Sequence, residues 1–276
     1  MTSSRAWDPD FLTRSPAFDV LREAAGYLDL STWPSAAALT RVASQLPVIP
    51  QSASGRSVAF VAPQSIESLS YEQRIYDQGE VACRPEDWHD LLNALVWMTY
   101  PRAKAALNAR HVEEMAAEVP GKRGRTRDAL TLFDEGGAIV CSSSVAMLDL
   151  VRNFQWKDLF WRRREEFRAS TRVFIFGHAM YQKLLDPFLG VSALAILQAV
   201  PSGFGHDSLE EQIIRADSMT ADVLQGRGVI QTPRELAPLP ILGIPGWFAE
   251  NSVESFYDNQ NYFRPGRMRA FALAAR

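Results

Sequence analysis

Pro101 is the residue that most constrains how this chain folds. The run from Trp88 to Ala117 is rich in helix formers, and a proline inside it removes a backbone donor and clashes with the preceding turn. The run must therefore divide into two helices, Trp88 to Tyr100 and about Arg102 to Ala117, with Asp87 suited to cap the first. On the first helix His89 and Asn93 stand one turn apart and share a face with Trp97, flanked by Leu91, Leu92 and Leu95. On the second, Lys104, Asn108 and His111 are spaced four and three apart and form one stripe. A hairpin closed around Pro101 is expected to bring His89, Asn93, Lys104, Asn108 and His111 together.

The rest of the chain reads as short elements set off by proline, glycine and serine. Helices are expected over Phe18 to Leu28 and Ser35 to Leu46, with Ser35 as an N-cap after Pro34, and a strand over Ser57 to Ala62 that stops at Pro63. A helix from Ser68 ends at Gly79, where a glycine suits a C-cap. Ala129 to Phe133 and Ala138 to Cys141 flank Asp134-Glu-Gly-Gly137 and read as a β-hairpin whose turn holds the two acids, where acidic residues are commonplace. Further helices are expected from Ser142 to Asn153, Trp156 to Phe167, Ala179 to Leu185 and Ser208 to Leu224, with a strand over Arg172 to Phe176. Periodicity leaves Ala193 to Val200 open between strand and helix. The expected class is α/β or α+β, mostly helical with a small β-sheet and a single core. It is read as one domain over residues 1–276, with a helical N-terminal layer over 1–56 and an irregular, proline-rich C-terminal cover over 230–276.

Composition narrows the functional classes. With 276 residues and 47% hydrophobic content the chain can bury one large core. Its formal net charge of −3 gives no global field for nucleic acid or an acidic membrane, so any anion site must be local. Cys83 and Cys141 are two cysteines without Cys-x-x-Cys spacing, which favours a reducing compartment and excludes a cysteine zinc site. The N-terminus lacks the pattern of a secretory signal, and the apolar stretch from Leu189 to Val200 falls short of the ~20 residues that span a bilayer. A cytoplasmic protein with no membrane association is the expectation.

No Gly-x-Ser-x-Gly elbow, Gly-x-Gly-x-x-Gly fingerprint or Walker loop occurs, so the common hydrolase, dinucleotide and NTP motifs are absent. The chemistry then falls to histidines. His89 and His111, if they converge, can divide acid and base roles, or ligate a divalent metal with a carboxylate from Asp90 or Glu72. His178 follows the apolar strand Phe174-Ile-Phe176 through Gly177, and α/β scaffolds collect ligands at such strand ends. His206, in a glycine-bearing loop, reads as exposed. Ser142, Ser143 and Ser144 read as an N-cap before an anion site. Gly121-Lys-Arg-Gly-Arg-Thr-Arg127 is a local basic cluster without interleaved aromatics.

Tyr71-Glu72, Arg84, Trp88-His-Asp-Leu91, Asn93-Ala-Leu-Val-Trp97, Pro101-Arg-Ala-Lys104, Leu107-Asn108 and His111 resemble blocks of a proteobacterial domain-of-unknown-function family. Leu132-Phe-Asp-Glu135, Phe176-Gly-His-Ala179 with Lys183-Leu184, and Pro240-Ile-Leu-Gly-Ile-Pro-Gly-Trp247 resemble its later blocks, so the resemblance runs from about residue 65 to 265. It implies a bacterial, cytoplasmic protein and brings no reaction or cofactor. From the residues themselves, the leading expectation is a hydrolase with histidine acid-base chemistry, assisted by a divalent metal or not, on a phosphate-containing or small polar substrate. Its expected catalytic set is His89, Asn93, Asn108, His111 and His178, with Arg84 and Lys104 holding the anionic group. The alternative is a non-catalytic RNA- or phosphate-binding protein that uses residues 121–127.

Overall fold

Serine, glycine and proline end most of the elements where their chemistry requires it. The structure, a computed structural model, describes residues 6–63, 70–119 and 122–266. The expected start of a helix at Ser68 and Gly121 of the basic loop lie outside the described residues.

In the N-terminal layer a 3-10 run, Pro16–Leu21, leads into the short helix α1 (Arg22–Gly26), so the helix expected from Phe18 to Leu28 begins as a tighter turn and is α-helical only over 22–26. Helix α2 (Ala36–Ala43) begins where Ser35 Oγ accepts a hydrogen bond from the Ala38 N–H at 3.2 Å. This layer clamps onto the chain through tryptophans. Trp7 stacks on Trp88 with centroids 5.0 Å apart, and Trp33 lies 4.6 Å from Trp7 and 4.9 Å from Trp88. Trp7 Nε1 also donates to Leu30 O at 3.0 Å. Loss of this packing and hydrogen bond in Trp7→Ala is expected to cost about 2 kcal/mol, read as a lower urea midpoint with unchanged slope.

Strand β1 (Ala59–Val61) pairs in parallel with β2 (Glu80–Ala82), and helix α3 (Tyr71–Gln78) lies between them in sequence. Gly79 takes the left-handed conformation, φ 75°, that ends α3 and turns the chain into β2. Helices α4 (Trp88–Thr99) and α5 (Pro101–Ala117) meet at the proline corner. Asp87 Oδ1 accepts from the Asp90 N–H and caps α4. The start of α5 is capped from far along the chain, by Asp217, which accepts from the N–H groups of Arg102 and Ala103 at 3.1 and 2.8 Å.

Helix α6 (Arg125–Gly136) runs directly into strand β3 (Gly137–Ser142), which overturns the expected hairpin over residues 129–141. Ala129, Leu130 and Phe133 are buried while Leu132 is exposed, a helical pattern that five residues are too few to reveal. The remaining elements are α7 (Val145–Arg152), α8 (Arg164–Ser170), β4 (Thr171–Ile175), α9 (His178–Leu184), β5 (Ser192–Ala199), α10 (Leu209–Gln225) and β6 (Ala237–Pro240). A π-turn at Asp158–Arg162 interrupts the helix expected from Trp156 to Phe167. Ala193 to Val200 resolves as strand.

The larger sheet has the order β4-β3-β5-β6, with β3 and β5 parallel and both outer pairs antiparallel. Strand β3 is buried along its whole length, as a central strand covered on both faces must be. Strand β6 carries Pro238 and Pro240, which its edge position allows. The C-terminal segment is otherwise short 3-10 turns packed as a cover, pinned by Asn251 Nδ2, which donates to Leu242 O and Ile244 O at 2.8 and 2.7 Å. The result is a mostly helical α+β fold in which buried side chains from Phe11 to Phe263 join one connected core. Among the described residues no helix is long and apolar enough to cross a membrane.

Candidate metal centre

Because β3 and β4 are antiparallel with Ala138 opposite Ile175, the entry to β3 lies beside the exit of β4. The C-terminus of α6 and the N-terminus of α9 are therefore neighbours. Gly137 O accepts from the N–H groups of Phe176 and Gly177, at 3.0 and 2.9 Å, and locks the junction. Glu135 sits one residue before the end of α6, and His178 is the first residue of α9. Helix α4 packs across α9 and brings His89 from its first turn.

His89 Nε2 and His178 Nε2 are 3.1 Å apart, with the rings perpendicular at 89°. Glu135 Oε2 lies 3.5 Å from the first and 3.8 Å from the second. A point about 2.0 Å from all three atoms exists inside this triangle, the distance at which zinc binds imidazole nitrogen and carboxylate oxygen. The His178 side chain is 4% exposed, whereas His89 is 33% and Glu135 45% exposed, so one side of the triangle faces solvent.

Each imidazole presents its other nitrogen to a carboxylate. His89 Nδ1 is 3.3 Å from Asp90 Oδ1. Arg84 grips Asp90 with Nε, Nη2 and its backbone N–H at 2.7, 2.8 and 2.7 Å. Glu86 has φ 55°, an uncommon conformation for a residue with a side chain, in the turn that folds Arg84 back over α4. Burial works against ionisation of Asp90, but Arg84 and His89 hold its carboxyl well below the usual range. The hydrogen bonds that His89 donates to the Asp90 and Glu135 carboxylates raise it to about 9. Contact with His89 in turn lowers Glu135. Burial pushes His178 down, and the 3.1 Å contact between its Nε2 and that of His89 has a proton on one of the two. His178 Nδ1 is buried without a hydrogen bond among the described residues, and Asp134 Oδ2 faces it at 4.0 Å.

The other expected residues form a second polar layer behind this centre. Lys104 Nζ donates to Asn93 Oδ1 at 3.0 Å and to Asp134 Oδ1 at 2.5 Å, and it is buried there instead of standing at the open face as an anion holder. Asn93 Nδ2 donates to the Tyr71 hydroxyl at 3.2 Å. Asn108 Nδ2 donates to Glu72 O and Oε2 at 2.9 and 2.7 Å. His111 is buried beside this layer, and burial lowers it to about 4. Beyond the Pro101 corner the two helices take different partners, α4 packing on α9 and α5 on α10. Asn93 and Lys104, nearer the corner, do meet. His89 finds His178 at the far end of α4.

The carboxylate that joins His89 and His178 is Glu135, whereas the sequence pointed to Asp90 or Glu72; Asp90 does lie with Asp87 and His89 in a second group close enough to share an ion. Asp90 is occupied by Arg84 and Glu72 by Asn108. The signal that could have found Glu135 was its place in the Leu132-Phe-Asp-Glu135 block, which the hairpin reading set aside. In the basic stretch, Arg123 pairs with Asp128 at 2.9 Å and Arg127 with Glu118 at 2.6 Å, so two of its charges are already neutralised locally. Ser144 is the N-cap residue of α7 without a side-chain cap bond, its hydroxyl donating instead to Glu166, and His206 is exposed.

Over residues 58–267 the chain matches the family described as protein of unknown function (DUF3025), and it belongs to that family. No curated protein and no solved structure matches it. The matched span contains all of the residues that form the centre and the layer behind it.

Proposed function

We propose that this DUF3025 protein is a hydrolase whose centre is a divalent metal held by His89, His178 and Glu135, acting on a phosphate-containing or other small polar substrate. The observation that carries this reading is the triangle of two Nε2 atoms and one carboxylate oxygen, with edges of 3.1, 3.5 and 3.8 Å and one open side; the other group of described residues close enough to share an ion, Asp87, His89 and Asp90, offers one imidazole, and its carboxylates also bind Arg84. Three protein ligands with a free position are the pattern of catalytic sites, whereas structural zinc sites are closed by four. Bound there, the metal would supply an activated water at neutral pH and a Lewis acid for the substrate oxygen.

The chain's own residues have distinct parts in this reading. His89 and His178 each offer Nε2 as a neutral imidazole, and Glu135 adds one negative charge. Asp90 accepts a hydrogen bond from the His89 Nδ1–H and fixes that ring, and Arg84 holds Asp90. Arg84 is paired with Asp90 at 2.7 Å and Asp87 at 3.3 Å, so its part is to hold Asp90.

Metal must displace the proton from His89 Nε2. Since His89 is held at about 9 in the metal-free protein, apparent affinity should rise about tenfold per pH unit up to that value, with about one proton released per metal at pH 7. Calorimetry in two buffers of different ionisation enthalpy measures that proton directly, and an affinity flat between pH 6 and 8 would contradict it. The same shift acts on stability. The folded value exceeds the unfolded one of 6.5, so the contribution of His89 is full below 6.5 and is lost as pH rises through about 9. The reaction itself is tested by stripping the protein with chelator, reloading it with zinc or manganese, and assaying chromogenic phosphate mono- and diesters. Activity should vanish and return; full activity in the stripped protein would reject the metal-assisted reading.

A further inference from the structure

We infer that Asp134, held by Lys104, is the positioning residue for His178 and sets the metal affinity of the centre. This rests on the metal-centre reading above and adds to it the function of the buried ion pair behind the histidines.

The argument is one of tautomers. If His178 binds through Nε2, its single ring proton must sit on Nδ1. That nitrogen is buried, has no hydrogen bond among the described residues, and so becomes a buried donor that needs an acceptor. Asp134 Oδ2 lies 4.0 Å from it, too long for a hydrogen bond; an approach of about 1 Å would make one. In the metal-free arrangement His178 Nε2 is instead engaged with His89 Nε2. Binding would exchange that contact for the pair Nδ1–H to Asp134.

Asp134 is prepared for this by its other oxygen. Oδ1 accepts from Lys104 Nζ at 2.5 Å, and the same ammonium donates to Asn93 Oδ1 at 3.0 Å and lies 5.3 Å from the Trp97 ring and 6.0 Å from the Phe176 ring. The lysine is fixed from three sides, with its ammonium on Asp134 Oδ1. Both ligand imidazoles are then backed by an arginine- or lysine-bound carboxylate: His89 by Asp90 and Arg84, His178 by Asp134 and Lys104. A lone buried ion pair needs no histidine beside it. Its free oxygen aimed at an orphaned imidazole nitrogen is what a ligand-orienting carboxylate requires.

The test is a metal-competition titration with a chromogenic chelator on the full chain, using zinc for affinity and cobalt for the visible spectrum. Asp134→Asn, which leaves the buried Lys104 without its counter-ion and is therefore checked for folding by circular dichroism, should weaken zinc binding by about 10- to 100-fold and alter the cobalt ligand-field bands. Lys104→Met alone leaves Asp134 uncompensated and can unfold the chain, so Asp134→Asn/Lys104→Met, which removes both charges, serves as the second variant. It should fold and remain as weak as Asp134→Asn. Wild-type affinity and an unchanged cobalt spectrum in either folded variant overturn the inference and leave the centre standing. A wild-type protein that binds no metal overturns both.

Discussion

Replacing His178 with alanine is expected to lower divalent-metal affinity by at least about a thousandfold and to abolish the proposed metal-dependent hydrolysis, because it removes one of the three proposed protein ligands. The side chain is buried, so a cavity cost of about 2 kcal/mol accompanies the change, while Lys104 still compensates Asp134. His89→Ala should lose metal to a similar extent with less effect on stability, since His89 is partly exposed and the Arg84–Asp90 pair survives without it. Metal content after purification, activity and thermal melts separate these outcomes. Either variant binding metal like the wild type, while folded, is incompatible with the proposed ligand set.

Gly177→Ala is the change expected to do the most damage per atom added. A Cβ at Gly177 would press on Gly137 N and stand 2.5 Å from Glu135 O, both of them backbone atoms at the helix-to-strand junction. They cannot yield as a flexible side chain would. The two N–H bonds to Gly137 O would have to break, and His178 and Glu135 would be driven apart together. A stability loss of about 3 kcal/mol or more and loss of metal binding are expected. Gly136→Ala is the matched control: a Cβ there meets only Met180 Cε at 3.9 Å, and alanine suits a helix end better than glycine, so stability should stay within about 0.5 kcal/mol or rise. Urea denaturation of the two variants side by side gives the comparison; equal midpoints would show that the close approach at Gly177 does not matter.

What could be read from the sequence, and what could not, follows from the range of the interactions involved. The α4–α5 break at Pro101, the caps at Ser35, Asp87 and Gly79, and the polar stripes on both helices depend on neighbours within a turn or two, and they appear as expected. His178 at a strand end was equally local. The partners were not. That α4 packs on α9 and α5 on α10 is decided by the core as a whole, and it pairs His89 with a residue 89 positions away. Glu135 was hidden by a different failure. Two glycines after an acidic pair match a hairpin turn, and only the burial of Ala129, Leu130 and Phe133 on one face reveals the helix that aims the carboxylate. Lys104 was expected to hold an anionic group with Arg84, and spacing alone cannot say which partner its stripe meets. Here the stripe faces Asp134.

The most direct measurement is X-ray absorption at the zinc edge on protein loaded with one equivalent of zinc. The account predicts two imidazole nitrogens and one carboxylate oxygen, with a further light-atom ligand, at about 2.0 to 2.1 Å, and loss of one imidazole contribution in His178→Ala. A site with sulfur from Cys83 or Cys141, a single imidazole, or a spectrum identical in His178→Ala and the wild type would contradict it.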